Sequence, residues 1–160
     1  MPSMQKKIIS RSQLASYIHK FRTTKKKIAF TNGTFDILHR GHVTYLEKAK
    51  KEADILFVGV NSDASVKSYK GPDRPINPEK DRMCVLAALA CVDYVILFTE
   101  PTPLNLIKAI KPDVLIKGAD WKINQIAGAK EVKSWGGKVK RIPMVPGRST
   151  TRLIRLLSGS

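Results

Sequence analysis

Two of the chain's three histidines, His39 and His42, stand three residues apart in the run TNGTFDILHRGH, with Gly41 between them. At helical spacing both imidazoles fall on one side of the chain, and the glycine removes the side chain that would crowd an approaching anion. A β-rich apolar run, KKIAFTN, leads into the motif and an amphipathic one, VTYLEKAKKEA, follows it. That order predicts a strand, a glycine turn and a helix N-terminus, where unpaired backbone N–H groups favour phosphate. The pair therefore suits the clamping of a triphosphate. Two other readings stay open: satisfied core or surface histidines, and a metal pair, for which no third ligand stands nearby in sequence. His19 lacks this context and reads as a surface residue of the first helix.

Such residues need a scaffold, and the hydrophobic pattern supplies one. KKIAFTN, DILFVGVN, DYVILF, DVLIKG and KVKRIP read as strands, separated by the helical segments VTYLEKAKKEA, EKDRMCVLAALACV, PLNLIKAIK and GAKEVKSW. Continuous apolar runs such as ILFVGV predict strands buried on both faces. The expected fold is α/β: a doubly wound, Rossmann-like parallel sheet in a single domain. A leading helix around Ser12 to Phe21 and a closing helix from about Ser149 to Leu157 complete it. The expected division is an N-terminal helical extension over 1–26 and the α/β domain proper over 27–158.

At 160 residues the chain is long enough to bury a core without disulfides or metal staples. No apolar run approaches a bilayer span, and MPSMQKKIIS has no secretory h-region, so a cytoplasmic setting is expected. Cys84 and Cys91, seven apart in a predicted helix, read as stacked core thiols, with a disulfide or metal pair as the minor alternative. The net charge of +16 predicts attraction to polyanions and phosphorylated small molecules alike. A solvated basic surface accounts for most of the dispersed lysines.

In a doubly wound sheet, ligands bind outside the carboxyl ends of the strands. Four post-strand segments therefore matter: Thr31 to His42, Asn61 to Asn77, Lys117 to Trp121, and Pro146 to Thr151. TNGTFDILHRGH resembles the His-x-Gly-His signature of the cytidylyltransferase-like nucleotidyltransferases. With NSDASVKSYKGPDRPINPEKDR, KGADW and GRSTT following in order, the resemblance narrows to the D-glycero-β-D-manno-heptose 1-phosphate adenylyltransferases and covers about Lys27 to Leu157.

This resemblance implies in-line attack by a sugar 1-phosphate oxygen on the α-phosphorus of ATP, with pyrophosphate leaving and Mg2+ assisting. Catalysis would rest on positioning and charge stabilisation. By matching place, His39, His42, Lys70 and Arg82 carry the catalytic charge stabilisation. Thr31, Asn32, Gly33, Thr34, Phe35, Gly41 and His42 hold the nucleotide from the first loop, together with Lys117, Gly118 and Asp120, and with Ser149, Thr150 and Thr151. Asn61, Asp63, Lys67 and Arg74 are the implied acceptor-binding residues. Asp36 either fixes the loop or helps hold magnesium. Where the family carries a second glycine this chain has Ala119, beside Trp121, which bears on base selectivity.

The implied partners are ATP, a sugar 1-phosphate, a separate heptose kinase and a second copy in a homodimer, with no membrane and no required nucleic acid. The nearest alternative is the same chemistry with CTP on glycerol 3-phosphate or phosphoethanolamine. From another class, a basic nucleic-acid-binding module would use the charge for salt-sensitive phosphate contacts.

Overall fold

The computed structural model describes residues 3–157; Met1, Pro2 and Ser158, which belong to the expected domain limits, lie outside them. Five strands, β1 (Ile28–Gly33), β2 (Ile55–Asn61), β3 (Tyr94–Phe98), β4 (Val114–Gly118) and β5 (Lys138–Ile142), form one sheet in the order β3-β2-β1-β4-β5. Every pairing is parallel. The helices are α1 (Met4–Lys7), α2 (Arg11–Thr23), α3 (Arg40–Lys50), α4 (Asp63–Lys70), α5 (Glu79–Ala88), α6 (Leu104–Ile110), α7 (Ala129–Ser134) and α8 (Thr150–Leu157).

Both sheet faces are apolar because the strands send successive side chains to opposite sides. In β2, Leu56, Val58 and Val60 join one core cluster with Leu46 of α3 and Leu86 of α5, while Phe57 joins the other. That second cluster takes Leu14 and Phe21 of α2, Ile107 of α6 and Val132 of α7. Helices on both faces make the domain doubly wound, as the continuous apolar strands predict.

The N-terminal segment packs into this core. Ile8 bridges Val95 in parallel, and the Ile9 N–H donates to the Val95 carbonyl at 3.0 Å, so the segment covers the outer margin of β3. At the opposite margin, β5 exposes Lys138, Lys140 and Arg141. Charge on an edge strand discourages pairing with another sheet.

Two local expectations are corrected. The stretch after β2 contains α4, which has only Ser65 and Val66 buried and so carries almost no apolar periodicity to read. The helix expected through Cys91 stops at Ala88. Cys84 and Cys91 are both free and half-buried, one on α5 and one beyond it, so they do not stack on a common helix face.

The feature that positions a site is the seam between β1 and β4. β1 pairs with β2 along its whole length, from Ile28 to Gly33, but with β4 only at Ala29 and Phe30. The strands part beyond Phe30. A crevice opens there, at the carboxyl ends of two strands whose connections run to opposite sides of the sheet.

Candidate active site

A cavity of about 180 Å³ occupies the crevice. The loop after β1 walls it with Asn32, Gly33, Thr34, Phe35 and Asp36, and α3 adds His42 and Tyr45. Lys70 ends α4 on one side, Arg74 follows it, and Lys117, Gly118, Asp120 and Trp121 close the side belonging to β4. Thr150 arrives from α8 and Met144 from the segment after β5. Four segments distant in sequence thus converge where the topology predicts a ligand.

The histidines take unequal places. His39 is the N-cap of α3, and its Nδ1 accepts the Gly41 N–H at 3.1 Å. Its ring stacks on His42 with centroids 4.0 Å apart, and His42 meets the edge of Phe35 at 5.4 Å. Burial, then the His39 and Lys70 charges, push the His42 pKa down to about 4, against an opposing backbone contact at Ile37. Burial and the Arg148 guanidinium also lower the pKa of His39. Both shifts favour the neutral rings.

Gly41 also serves the protein's own packing. A Cβ there would lie 2.8 Å from His39 Cε1 and 2.9 Å from Nδ1, so the glycine makes room for the histidine ring. Phe35 holds a left-handed backbone, φ +48°, an unusual state for a bulky residue.

The cavity is rich in cations with too few partners. Burial is the main cause lowering the Lys70 pKa, followed by Arg74, while Asp36 opposes. Burial pushes Lys117 down to about 8, with Asp120 opposing. Lys117 Nζ donates to Asn32 Oδ1 at 3.0 Å and sits 5.2 Å from the Trp121 ring centre. Two buried nitrogens, His42 Nδ1 and Arg74 Nη2, have no hydrogen-bond partner. An orphaned buried guanidinium nitrogen is costly.

Asp36 fixes the loop. Its carboxylate accepts from Arg74 Nε at 2.9 Å, the Ile76 N–H at 2.9 Å and the Asn77 N–H at 2.8 Å. Burial raises its pKa, but these donors outweigh it and hold the group below the usual range. Among the described residues no cluster of three His, Cys, Asp or Glu forms a metal cage.

Several expected site residues lie away from the cavity. Arg82 is buried, with Nε on the Asn77 carbonyl, Nη1 on that of Thr34, and Nη2 on both the Asn61 carbonyl and Asp63. Four of its five N–H donors tie three segments together, a structural role the sequence did not reveal. Asn61 is buried and its amide donates to Ser65 Oγ; Asp63 pairs with Arg82. Neither faces the cavity. Thr31 is buried against the Tyr45 hydroxyl at 2.7 Å, behind the wall, and Lys67 points to solvent. Ser149 Oγ caps α8 through the Arg152 N–H at 3.2 Å. With His39 and Arg148 it borders a neighbouring groove of about 150 Å³, and Thr151 is exposed.

The structure adds Tyr45 and Tyr69. Tyr45 lines the cavity, and the Tyr69 hydroxyl is 2.5 Å from Thr34 Oγ1. Tyr45 lies three residues beyond His42 on α3, a helical spacing that could have revealed it; Tyr69 depends on α4, which the sequence pattern conceals.

The family model for cytidylyltransferase-like proteins matches residues 30–155, from β1 into α8. The chain belongs to the cytidylyltransferase-like family. Among similar members, the bifunctional protein HldE of Methylobacillus flagellatus is 53% identical over 95% of this chain and 31% of its own length. The HldE of Koribacter versatilis is 49% identical over 96% of this chain and 32% of its own. The chain thus spans about a third of the length of the curated relatives it matches. A solved lipopolysaccharide core biosynthesis protein from Thermoplasma volcanium is 31% identical, with a TM-score of 0.60, over 75% of this chain and 97% of that one. Among the described residues of this cytidylyltransferase-like chain, no helix is long and apolar enough to cross a membrane.

Proposed function

We propose that this chain is a heptose 1-phosphate adenylyltransferase, transferring AMP from ATP to D-glycero-β-D-manno-heptose 1-phosphate and releasing pyrophosphate. The observation that carries the reading is the pair of unpartnered buried nitrogens, His42 Nδ1 and Arg74 Nη2, on residues lining one cation-rich cavity at the β1–β4 seam. Phosphate oxygens supply the missing partners. Similarity to HldE proteins over nearly all of this chain supports the acceptor.

An oxygen of the sugar phosphate attacks the α-phosphorus. One P–O bond forms and the bond to pyrophosphate breaks. The attacking oxygen is already anionic at neutral pH, so the step needs no general base; it needs two anions brought together and charge held as the leaving group departs. His39, His42 and Thr150 take the triphosphate side. Lys70 and Arg74, held by Asp36, take the acceptor phosphate, while Lys117, Gly118, Asp120 and Trp121 face the nucleoside. Magnesium enters as the Mg·ATP substrate complex.

The same reading carries a cytoplasmic setting, a homodimer and a kinase that supplies the sugar phosphate. A CTP-dependent reaction on glycerol 3-phosphate or phosphoethanolamine finds less support, because the similar proteins are HldE proteins. A nucleic-acid module finds less because the residues that carry the unpartnered nitrogens line a small cavity rather than an open groove.

The test is pyrophosphate release with magnesium, offering ATP and CTP in turn with each of the three acceptors. Turnover confined to ATP and the heptose phosphate is expected. Turnover with another pair replaces the substrate, and none with any pair overturns the activity.

A further inference from the structure

We propose that the Gly41 amide locks His39 as a neutral Nε2–H donor, leaving His42 as the one member of the pair that can gain a proton while phosphate is bound. The phosphate clause rests on the function proposed above; the lock itself does not.

His39 has extended backbone angles, φ −143° and ψ 171°, and its own ring caps α3. A nitrogen that accepts an N–H bond carries no proton, so in neutral His39 the proton resides on Nε2. Protonating Nδ1 would set two donors against each other and strip the helix of its cap. Gly41 is what allows the arrangement. Any Cβ there meets the His39 ring at Cε1 and Nδ1, below 3.0 Å, and drives it off the amide.

The surroundings favour the same state. His42 faces the ring from α3, Arg148 from the segment before α8, and Arg40 and Arg152 border the same groove. Among the described residues no carboxylate lines that groove to favour an imidazolium. His42 differs in the decisive respect: its Nδ1 is buried without a partner, so a proton there breaks no existing bond. The two histidines of a near-symmetrical motif therefore divide the work. His39 offers a fixed hydrogen bond, and His42 responds to the charge of its ligand.

The experiment is long-range 15N–1H NMR of the imidazoles in the full chain over about pH 5 to 8, free and with inorganic pyrophosphate as probe. The expected result is His39 with unprotonated Nδ1 and protonated Nε2 throughout, and His42 protonating only when pyrophosphate is added. A His39 ring with its proton on Nδ1, or one that becomes doubly protonated while the Gly41 amide signal stays unmoved, overturns the lock. If pyrophosphate shifts neither ring while the lock persists, the phosphate clause fails alone, and turnover with ATP and the heptose phosphate decides the proposed function separately. Two variants separate the cap from the donor. H39N keeps an oxygen at the capping position, so Tm is expected to stay close to that of the parent protein while kcat falls about a hundredfold; H39A is expected to lower both. A kcat loss in H39N matched by an equal loss of Tm would reduce His39 to a cap alone.

Discussion

Lys117 Nζ reaches across the open seam from β4 to β1 and donates to Asn32, 3.0 Å from Oδ1 and 3.3 Å from the main-chain oxygen. One ammonium thus spans the gap where the sheet's own ladder has stopped. It does so at a cost, because burial lowers its pKa from 10.5 to about 8.

That cost sets opposite expectations for stability and binding in K117M. Between about pH 8 and 10.5 the unfolded chain keeps a proton that the folded chain has released, so stability from this group rises with pH across the window. K117M removes both that slope and the neutral-pH penalty, and its Tm at pH 7 is expected to exceed that of the parent. ATP affinity is expected to fall about tenfold or more, the loss of one charge-assisted hydrogen bond. Thermal denaturation and calorimetric titration read the two effects separately.

Asp36 predicts an acid limit. Its folded pKa is depressed, so its contribution is present above the ordinary value of 3.8 and is lost as pH falls through the folded value. Urea unfolding of D36N is expected to show a loss of about 3 kcal/mol at pH 7, typical of a broken buried pair. Its stability should also vary less than the parent's as pH falls below about 4.

Arg82 separates architecture from catalysis. R82A is expected to lose about 3 kcal/mol or more, since three carbonyls and Asp63 lose their donor in a buried place. A variant with unchanged denaturation midpoint and lost turnover would return Arg82 to the phosphates.

His42→Ala is expected to lower kcat by about a hundredfold to a thousandfold with little change in Tm, the scale of one lost charge-stabilising donor. Pyrophosphate release and thermal denaturation measure the two. Near-normal turnover would remove the histidine from the mechanism.

The parallel sheet was legible because unbroken apolar strands such as ILFVGV require cover on both faces. His42, the first loop and Lys117 could be expected near one another because they stand at or shortly after the carboxyl ends of β1 and β4. The tying role of Arg82 was not legible for a physical reason: sequence gives a cation's place along the chain but not what its donors meet, and Arg82 reaches Asp63 and the Asn61 and Thr34 carbonyls, 19, 21 and 48 residues away, only after folding. The room that Gly41 makes for the His39 ring was not legible, because the ring's direction is fixed by a cap that spacing alone does not reveal. The capping Ser62, with Asp63 in the first turn, was the available sign of α4.

The two margins of the sheet are closed to other chains by different means, and the difference has a colloidal consequence. β3 is shielded by the protein's own segment around Ile8 and Ile9, a cover made of main-chain bonds and apolar contact that salt does not loosen. β5 is defended by repulsion among lysine and arginine side chains, whose range shrinks to about 3 Å in molar salt. Concentrated electrolyte should therefore draw molecules together along β5 while leaving β3 indifferent, giving pairs joined at one edge rather than extended fibres.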